Sequence, residues 1–289
     1  AAGDMLGRTM ETPQTPLAQA LWFFESHLFE PPALDEAARL CGLSRFQLIR
    51  RFALATGMTP GAYLRRRRLS EAARLVAGGA DNLLHVALAT GYGSHEALTR
   101  AFRDQFGHTP EALRNRPELA RLDLQEALAM TSAKTVTLDP PRIETRRAFS
   151  VAGHNASYDF ASMAGIPQQW MGFLPHLGDF TGHDGEGSYG VCHSMGEEGF
   201  DYLCGLALRP GEEVPRGLST VTLPAGRYAI FTHRGHISGI RASWAAAMEG
   251  WLPQSGETMA DGPALEYYGP DFDGRTGHGQ VEIWIPLKG

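Results

Sequence analysis

Two kinds of residue in this 289-residue chain have the type and spacing to do chemistry. The first are polar side chains that come round twice. The segment AARLCGLSRFQLIRRFALATGMTPGAYLR is echoed about fifty residues later by VALATGYGSHEALTRAFRDQFGHTPEALR. Ser44 falls on Ser94, Leu48 on Leu98, Arg50 on Arg100, Phe52 on Phe102, Gly57 on Gly107 and Pro60 on Pro110. An arginine repeated at one helical position implies one task done twice, and its planar fork matches guanine edges and phosphates. The second is Glu282, a carboxylate between Val281 and Ile283 with Trp284 two residues on. A charge on an apolar strand is unstable unless paired, so it marks a place for a cationic or hydrogen-bonding ligand.

The elements that must position the first set read as helix, tight turn, helix, in both copies. Gly42 matches Gly91 one residue out of step with the rest, so the two turns differ by one residue. Ser44 and Ser94 are of the type that caps a new helix by accepting from its exposed amides. Leu48 and Phe52 in one helix, and Leu98 and Phe102 in the other, face inward. That leaves Arg45, Phe46, Gln47, Ile49 and Arg50, and His95, Glu96, Thr99, Arg100 and Arg103, to reach bases or phosphates. A helical stripe at 17–28 precedes the first copy, whose own first helix is read at 34–41 and closed by Gly42. A long helix opened by Thr59 and Pro60 and ending at Gly78 separates the two, a spacer of roughly 27 Å at ~1.5 Å per residue. Two such units grip successive major grooves of double-stranded DNA if the duplex bends somewhat. Arg65 to Arg68, on the spacer, are expected to form a solvated face with one or two phosphate contacts.

The net charge of −6 divides unevenly. Residues 1–133 hold 15 Lys+Arg against 14 Asp+Glu, and residues 134–289 hold 11 against 18, so the halves carry +1 and −7. No apolar run approaches the ~20 residues that span a bilayer, and no secretion signal is read at the N-terminus. The expected location is the cytoplasm, on nucleoid DNA, with no membrane partner. Cys41, Cys192 and Cys204 lack metal-ligand spacing and suit a reducing compartment.

Past a Pro-Pro break the pattern changes to strands with isolated helices, and a second repeat appears. Residues 148–177 match 227–256: strand, loop, then a helix bearing Trp170 or Trp244. SYGVCHS and FDYLCGLAL follow the first copy, ALEYYGP and QVEIWIPL the second. Two strand-helix-strand-strand units make an antiparallel sheet with both helices on one side and a groove between the halves, a natural small-molecule site. Asp201 is expected to match Glu282 across the repeat. Trp170, Phe173, Tyr228, Trp244, Tyr267, Tyr268 and Trp284 are the candidate walls, able to stack on an aromatic ligand or face a cation.

The stretch GYGSHEALTRAFRDQFGHTPEALR resembles the AraC/XylS family, and its all-α, homeodomain-like double helix-turn-helix covers residues 17 to about 116. By that resemblance Phe46, Ile49 and Arg50, and His95, Glu96, Thr99 and Arg100, fall where the family contacts bases. Ile49 departs from the polar residue often found there and suits a thymine methyl. The second half, about 140–289, is similar to the α+β GyrI-like effector-binding domain, also called the SHS2-repeat fold. That resemblance makes Glu282 the central pocket residue, with cationic aromatic ligands in some members. The combination resembles the Rob-like branch. The multidomain plan expected is a flexible 1–16, a DNA-binding domain at 17–116, a linker at 117–133 and an effector-binding domain at 134–289.

The implied protein is a transcription regulator that binds promoter DNA, a small hydrophobic or cationic effector and RNA polymerase, as monomer or homodimer. Two alternatives stand beside it: a small-molecule hydrolase using the glutamate with a tyrosine, and a ligand-independent protein-docking module. Neither a Gly-x-Ser-x-Gly elbow nor a Gly-rich phosphate loop is present. His233, His236, Cys192 and His193 could be gathered into a metal site only without regular spacing. No catalytic residue, cofactor or metal is expected.

Overall fold

The computed structural model describes residues 15–128, 136–159, 162–180, 182–185, 187–196 and 199–289; the N-terminal segment expected to be flexible lies outside these except for its last two residues. The described residues form two compact units, one drawn from 20–130 with 161–171 and the other from 131–160 with 172–289. No helix among the described residues is long and apolar enough to cross a membrane.

The first unit is built on α1 (Pro16–Ser26), α2 (Leu34–Leu40), α3 (Arg45–Thr56), α4 (Pro60–Ala77), α5 (Leu83–Ala89), α6 (His95–Phe106) and α7 (Pro110–Asn115). The repeated residues do repeated work. Thr59 and Thr109 cap α4 and α7 with Pro at the first turn, and Gly57 and Gly107 close α3 and α6 in the left-handed conformation. Gly91 sits in the α5–α6 turn at φ 77°, where a Cβ would meet the Phe29 carbonyl oxygen at 2.7 Å. Leu48, Phe52, Leu98 and Phe102 are all fully buried.

The arginine run on α4 is not a solvated face. Four consecutive residues of a helix sweep a full turn, so they cannot all point to water. Only Arg65 is exposed. Arg66 pairs with Asp123 at 2.6 Å, and Arg68 donates to the backbone carbonyls of Leu28, at 2.5 Å, and Glu30. Arg67 is 2% exposed and holds Glu25 of α1 through Nε (3.1 Å) and Nη2 (2.9 Å), while the Tyr63 phenol donates to the same carboxylate at 2.5 Å. Burial opposes the charge on Arg67, but Glu25 and Glu71 push its pKa above the ordinary value.

The expected linker also folds differently. Residues 119–128 pack along α4, with Leu119, Leu122 and Leu124 against the cluster around Leu69, Val76 and Phe102. The Gln125 amide donates to Ser70 Oγ at 2.8 Å, Arg74 meets Glu126 at 2.5 Å, and the Leu128 amide donates to the Tyr63 phenol at 3.0 Å.

The second unit is an eight-stranded antiparallel sheet. Its strands are β1 (Arg142–Arg146), β2 (Phe149–Asp159), β3 (Ser188–His193), β4 (Gly199–Ala207), β5 (Ser219–Leu223), β6 (Gly226–His233), β7 (Ala264–Tyr268) and β8 (Val281–Leu287). Their order is β1-β6-β8-β7-β3-β4-β2-β5. The two repeats are the inner triplets β6-β8-β7 and β3-β4-β2, and β1 and β5 extend the edges. Helix α8 (Ile166–Phe173) follows β2 in the first repeat of the sequence, although its residues up to Met171 group with the helical unit. Helix α9 (Ile240–Ala245), continued by a wider turn Ala246–Trp251, belongs to the second.

Strand register fixes the symmetry. Tyr189 pairs directly with Tyr267; Tyr189 also pairs with Gly205, as Tyr267 pairs with Glu282. Gly153, the sequence match of Thr232, pairs with Gly205, and Thr232 with Glu282. The match of Glu282 is therefore Gly205, not Asp201, which pairs with Ser157 and His193.

Beyond β6, His236 is 4% exposed, and burial, His278 and His233 push its pKa down to about 3.

Two outcomes are expected. Arg67→Leu, which strands Glu25, should cost about 3–5 kcal/mol in urea unfolding of the helical unit, with much of it recovered by adding Glu25→Met. For His236, the folded state favours the neutral ring, so its contribution is complete above pH ~6.5 and is lost as pH falls below that value. Thermal melts from pH 7.5 to 5 should show the fall, and His236→Gln should flatten it.

Candidate functional site

Helices α3 and α6 carry the polar set. Ser44 and Gln47 form a reciprocal cap at the start of α3, the Ser44 hydroxyl accepting from the Gln47 amide and the Gln47 side chain accepting from the Ser44 amide. The Gln47 carbonyl is thus spent on the helix end, which removes one acceptor from its expected reading role. Arg45 pairs with Asp35 at 3.0 Å, while Phe46 stands 72% exposed with Arg50 one turn on. Ile49 is half-buried behind them. On α6, His95, Glu96, Thr99, Arg100, Arg103 and Asp104 line one shallow groove. His95 Nε2 lies 2.9 Å from Glu111 of α7. Hydrogen bonds at the helix start, from its own backbone and from Ser94, hold the Glu96 carboxyl below its ordinary value. Arg100 and Arg103 project into solvent.

In the sheet, the expected pocket residues divide between two faces, because successive strand residues point to opposite sides. Registers set Glu282, Trp284, Tyr228 and Tyr267 on one face, with Tyr189. There the rings run in a row: Phe149 to Tyr189 at 5.5 Å, Tyr189 to Tyr267 at 5.2 Å, Tyr267 to Trp284 at 6.2 Å and Trp284 to Tyr228 at 6.0 Å. Glu282 is buried but already paired. Arg142 of β1 donates to Oε2 at 2.8 Å, the Trp284 indole to Oε2 at 2.9 Å and the Gln280 amide to Oε1 at 3.1 Å.

Tyr268 and Trp244 lie on the other face, with α9, and they converge on a different carboxylate. Glu266 of β7 accepts from the Tyr268 phenol at 2.6 Å, the Tyr202 phenol at 2.9 Å and the Trp244 indole at 2.8 Å. None of the ion pairs among the described residues includes Glu266. Burial raises its pKa, and the three hydrogen bonds act against that rise. Beside it, burial and Glu266 push the Tyr202 and Tyr268 phenols well above their ordinary values. Gly190 pairs with Glu266 across the β3–β7 ladder, and a Cβ there would fall 1.8 Å from the Tyr202 hydroxyl, so the missing side chain makes the approach possible. Phe173 packs against His154 at 6.0 Å on this same face, under the first repeat. Trp170, half-buried on α8, falls in the helical unit and is not brought to either face.

Sequence reasoning missed Glu266, Tyr202, Arg142 and Arg146. The signal for Glu266 was present: ALEYY sets one carboxylate among apolar and aromatic residues, just as VEIWIPL does. The four side chains considered for a metal are engaged separately. His233 meets Ser243 Oγ at 2.8 Å, His236 meets Ser238 Oγ at 3.0 Å, and His193 meets Asn155 at 2.8 Å; Cys192 is half-buried, near Glu266.

Comparison with known proteins agrees with both halves. Residues 37–116 match a helix-turn-helix domain model, and residues 139–288 match the GyrI-like small molecule binding domain. The right origin-binding protein of Escherichia coli is 29% identical over 284 residues, covering 93% of this chain and 96% of that protein. The transcriptional regulator Rob of Salmonella typhimurium is 28% identical over 284 residues, with the same coverage of 93% and 96%. The transcriptional regulator BrlR of Pseudomonas aeruginosa is 31% identical over 210 residues, 66% of this chain and 77% of its own. With its double helix-turn-helix joined to a GyrI-like domain, the chain belongs to the Rob-like branch of the AraC family, DNA-binding transcription regulators that carry a small-molecule-binding C-terminal domain.

Proposed function

We propose that the sheet unit senses a hydrophobic cation through Glu266, with Tyr202, Tyr268 and Trp244 as its walls, and that α3 and α6 read operator DNA. The observation that carries the first part is a buried carboxylate whose three partners are neutral donors. An ionised carboxylate in such a place costs several kcal/mol that neutral donors offset only in part, and an incoming cation supplies the missing charge. Phenols and indole add faces suited to aromatic or quaternary cations. Exposed Phe46, Arg50, Arg100 and Arg103 are the side chains best placed for base and phosphate contacts. Two reading helices per chain make one copy sufficient for a full site, and the proposed output is contact with RNA polymerase in the cytoplasm. A hydrolytic role would draw on the same raised carboxyl beside two phenols, and ester-turnover assays on the full chain distinguish it from binding.

Coupling between effector and DNA requires the effector to prefer one state of the protein over another, and its differential affinity limits the shift.

Calorimetry with aromatic cations should show Glu266→Gln weakening binding by about 2–5 kcal/mol, with DNA affinity retained. The carboxyl must lose its proton to meet a cation, so affinity should rise with pH through its raised pKa and then level off; in Glu266→Gln the profile should be flat. Binding that ignores both the substitution and the pH would remove Glu266 from the sensor. Separately, Arg50→Ala or Arg100→Ala should cost about 1–3 kcal/mol on a selected operator in anisotropy titrations. Unchanged binding would take that helix off the reading surface.

A further inference from the structure

The face opposite Glu266 carries a second arrangement that the sensor reading does not use. Three residues of edge strand β1 alternate in charge on that face: Arg142, Glu144 and Arg146. Arg142 reaches Glu282 at 2.8 Å, and the Arg146 guanidinium lies over the Trp284 ring, its Cζ 4.8 Å from the centroid. Glu144 pairs with both arginines at 2.6 Å. Burial opposes the charge on Arg142, but the hydrogen bonds of Glu282 and Glu144 keep its pKa above the ordinary value.

We infer that Glu282 and Trp284 form a second cation-binding site, specific for planar delocalised cations such as guanidinium or amidinium groups, and that the arginines of β1 occupy it in competition with the ligand. The geometry sets the class. Glu282 offers carboxylate oxygens to N–H donors in a plane, and Trp284 offers an aromatic face for the same kind of group to stack on. The remaining partners of Glu282, the Gln280 amide and Trp284 indole, are neutral and stay behind when the arginine leaves. A point-like ammonium would satisfy the carboxylate but make poor use of the ring.

Departure of the arginines is a local event. Among the described residues, strand β1 is the edge of the sheet and pairs only with β6, over five residues from Arg142 to Arg146. Arg142 and Arg146 are both about two-fifths exposed, with side-chain values of 42% and 40%. When they leave Glu282 and Trp284, Glu144 still pairs them within the strand. β1 is also the first strand of the sheet in chain order after the segment that packs on α4. Occupation of this site would therefore loosen the strand into which the DNA-binding half runs.

The test is calorimetry and thermal melting of the full chain with benzamidine. Arg142→Gln/Arg146→Gln should melt lower than wild type, regain stability with benzamidine, and bind it at least tenfold more tightly. Adding Glu282→Gln should abolish the gain, whereas adding Glu266→Gln should leave it. Equal affinity in wild type and the double variant would overturn the assignment, as would a gain that survives Glu282→Gln. Loss of the gain in the Glu266→Gln background would also overturn it while leaving the sensor reading intact. Hydrogen exchange on the wild-type chain needs no variant: at benzamidine concentrations that shift its melting, amides 142–146 should exchange faster. Unaltered exchange there would sink the competition.

Discussion

Arg67 cannot lose its proton at any ordinary pH and cannot reach water, so the helical unit depends on Glu25 being where it is. The pair joins the first helix to the long central one, and Tyr63 adds a phenol to the same carboxylate. Around this point the first helix-turn-helix closes, with Phe24, Phe52 and Tyr63 in edge and tilted contacts at 5.8 and 5.6 Å. The second closes on the apolar cluster farther along the same helix. A charged pair in this position gains little net energy over a greasy one. What it supplies is a fixed rotation of α4, since a helix turned by one residue would bring Arg66 or Arg68 to Glu25 and break their own contacts.

In the sheet the governing constraint is alternation. Glu266 and Glu282 sit on neighbouring strands, yet strand periodicity sends them to opposite sides. Each therefore has its own company: phenols, an indole and helix α9 for one, arginines and a row of rings for the other. Both belong to the second repeat. Their counterparts in the first repeat, by the register that matches Tyr189 to Tyr267 and Gly205 to Glu282, are Ser188 and Gly205. The duplicated sheet has kept its frame in both halves and its carboxylates in one.

Much of this was legible in the residues. Caps, closing glycines and inward leucines and phenylalanines are local signals, and they located α2, α4 and the starts of α3 and α6 within a residue or two. The strand-helix-strand-strand order survived translation into the sheet as well. The rest depends on contacts that local pattern does not encode. The burial of Arg67 follows from an acid 42 positions earlier in the chain. The edge strands β1 and β5 lie outside the repeat, so internal similarity could not reveal them. Glu266 and Glu282 look alike in sequence, each a lone carboxylate among apolar neighbours, and the three donors that single out Glu266 come from β4, β7 and α9. Asp201 was a natural counterpart by chemistry, but register, not residue type, decides equivalence in a ladder.

The segment at 119–128 changes what counts as the end of the DNA-binding domain. Family similarity for the helix-turn-helix stops at residue 116, and α7 ends at Asn115. A fragment cut there would strip Leu119, Leu122 and Leu124 from the cluster around Leu69 and Phe102, and would take Asp123 from Arg66, Glu126 from Arg74 and Gln125 from Ser70. The exposed oily strip would favour self-association over DNA. A reading module that keeps this packing therefore has to run at least to Leu128, about a dozen residues beyond the point where homology would place the scissors.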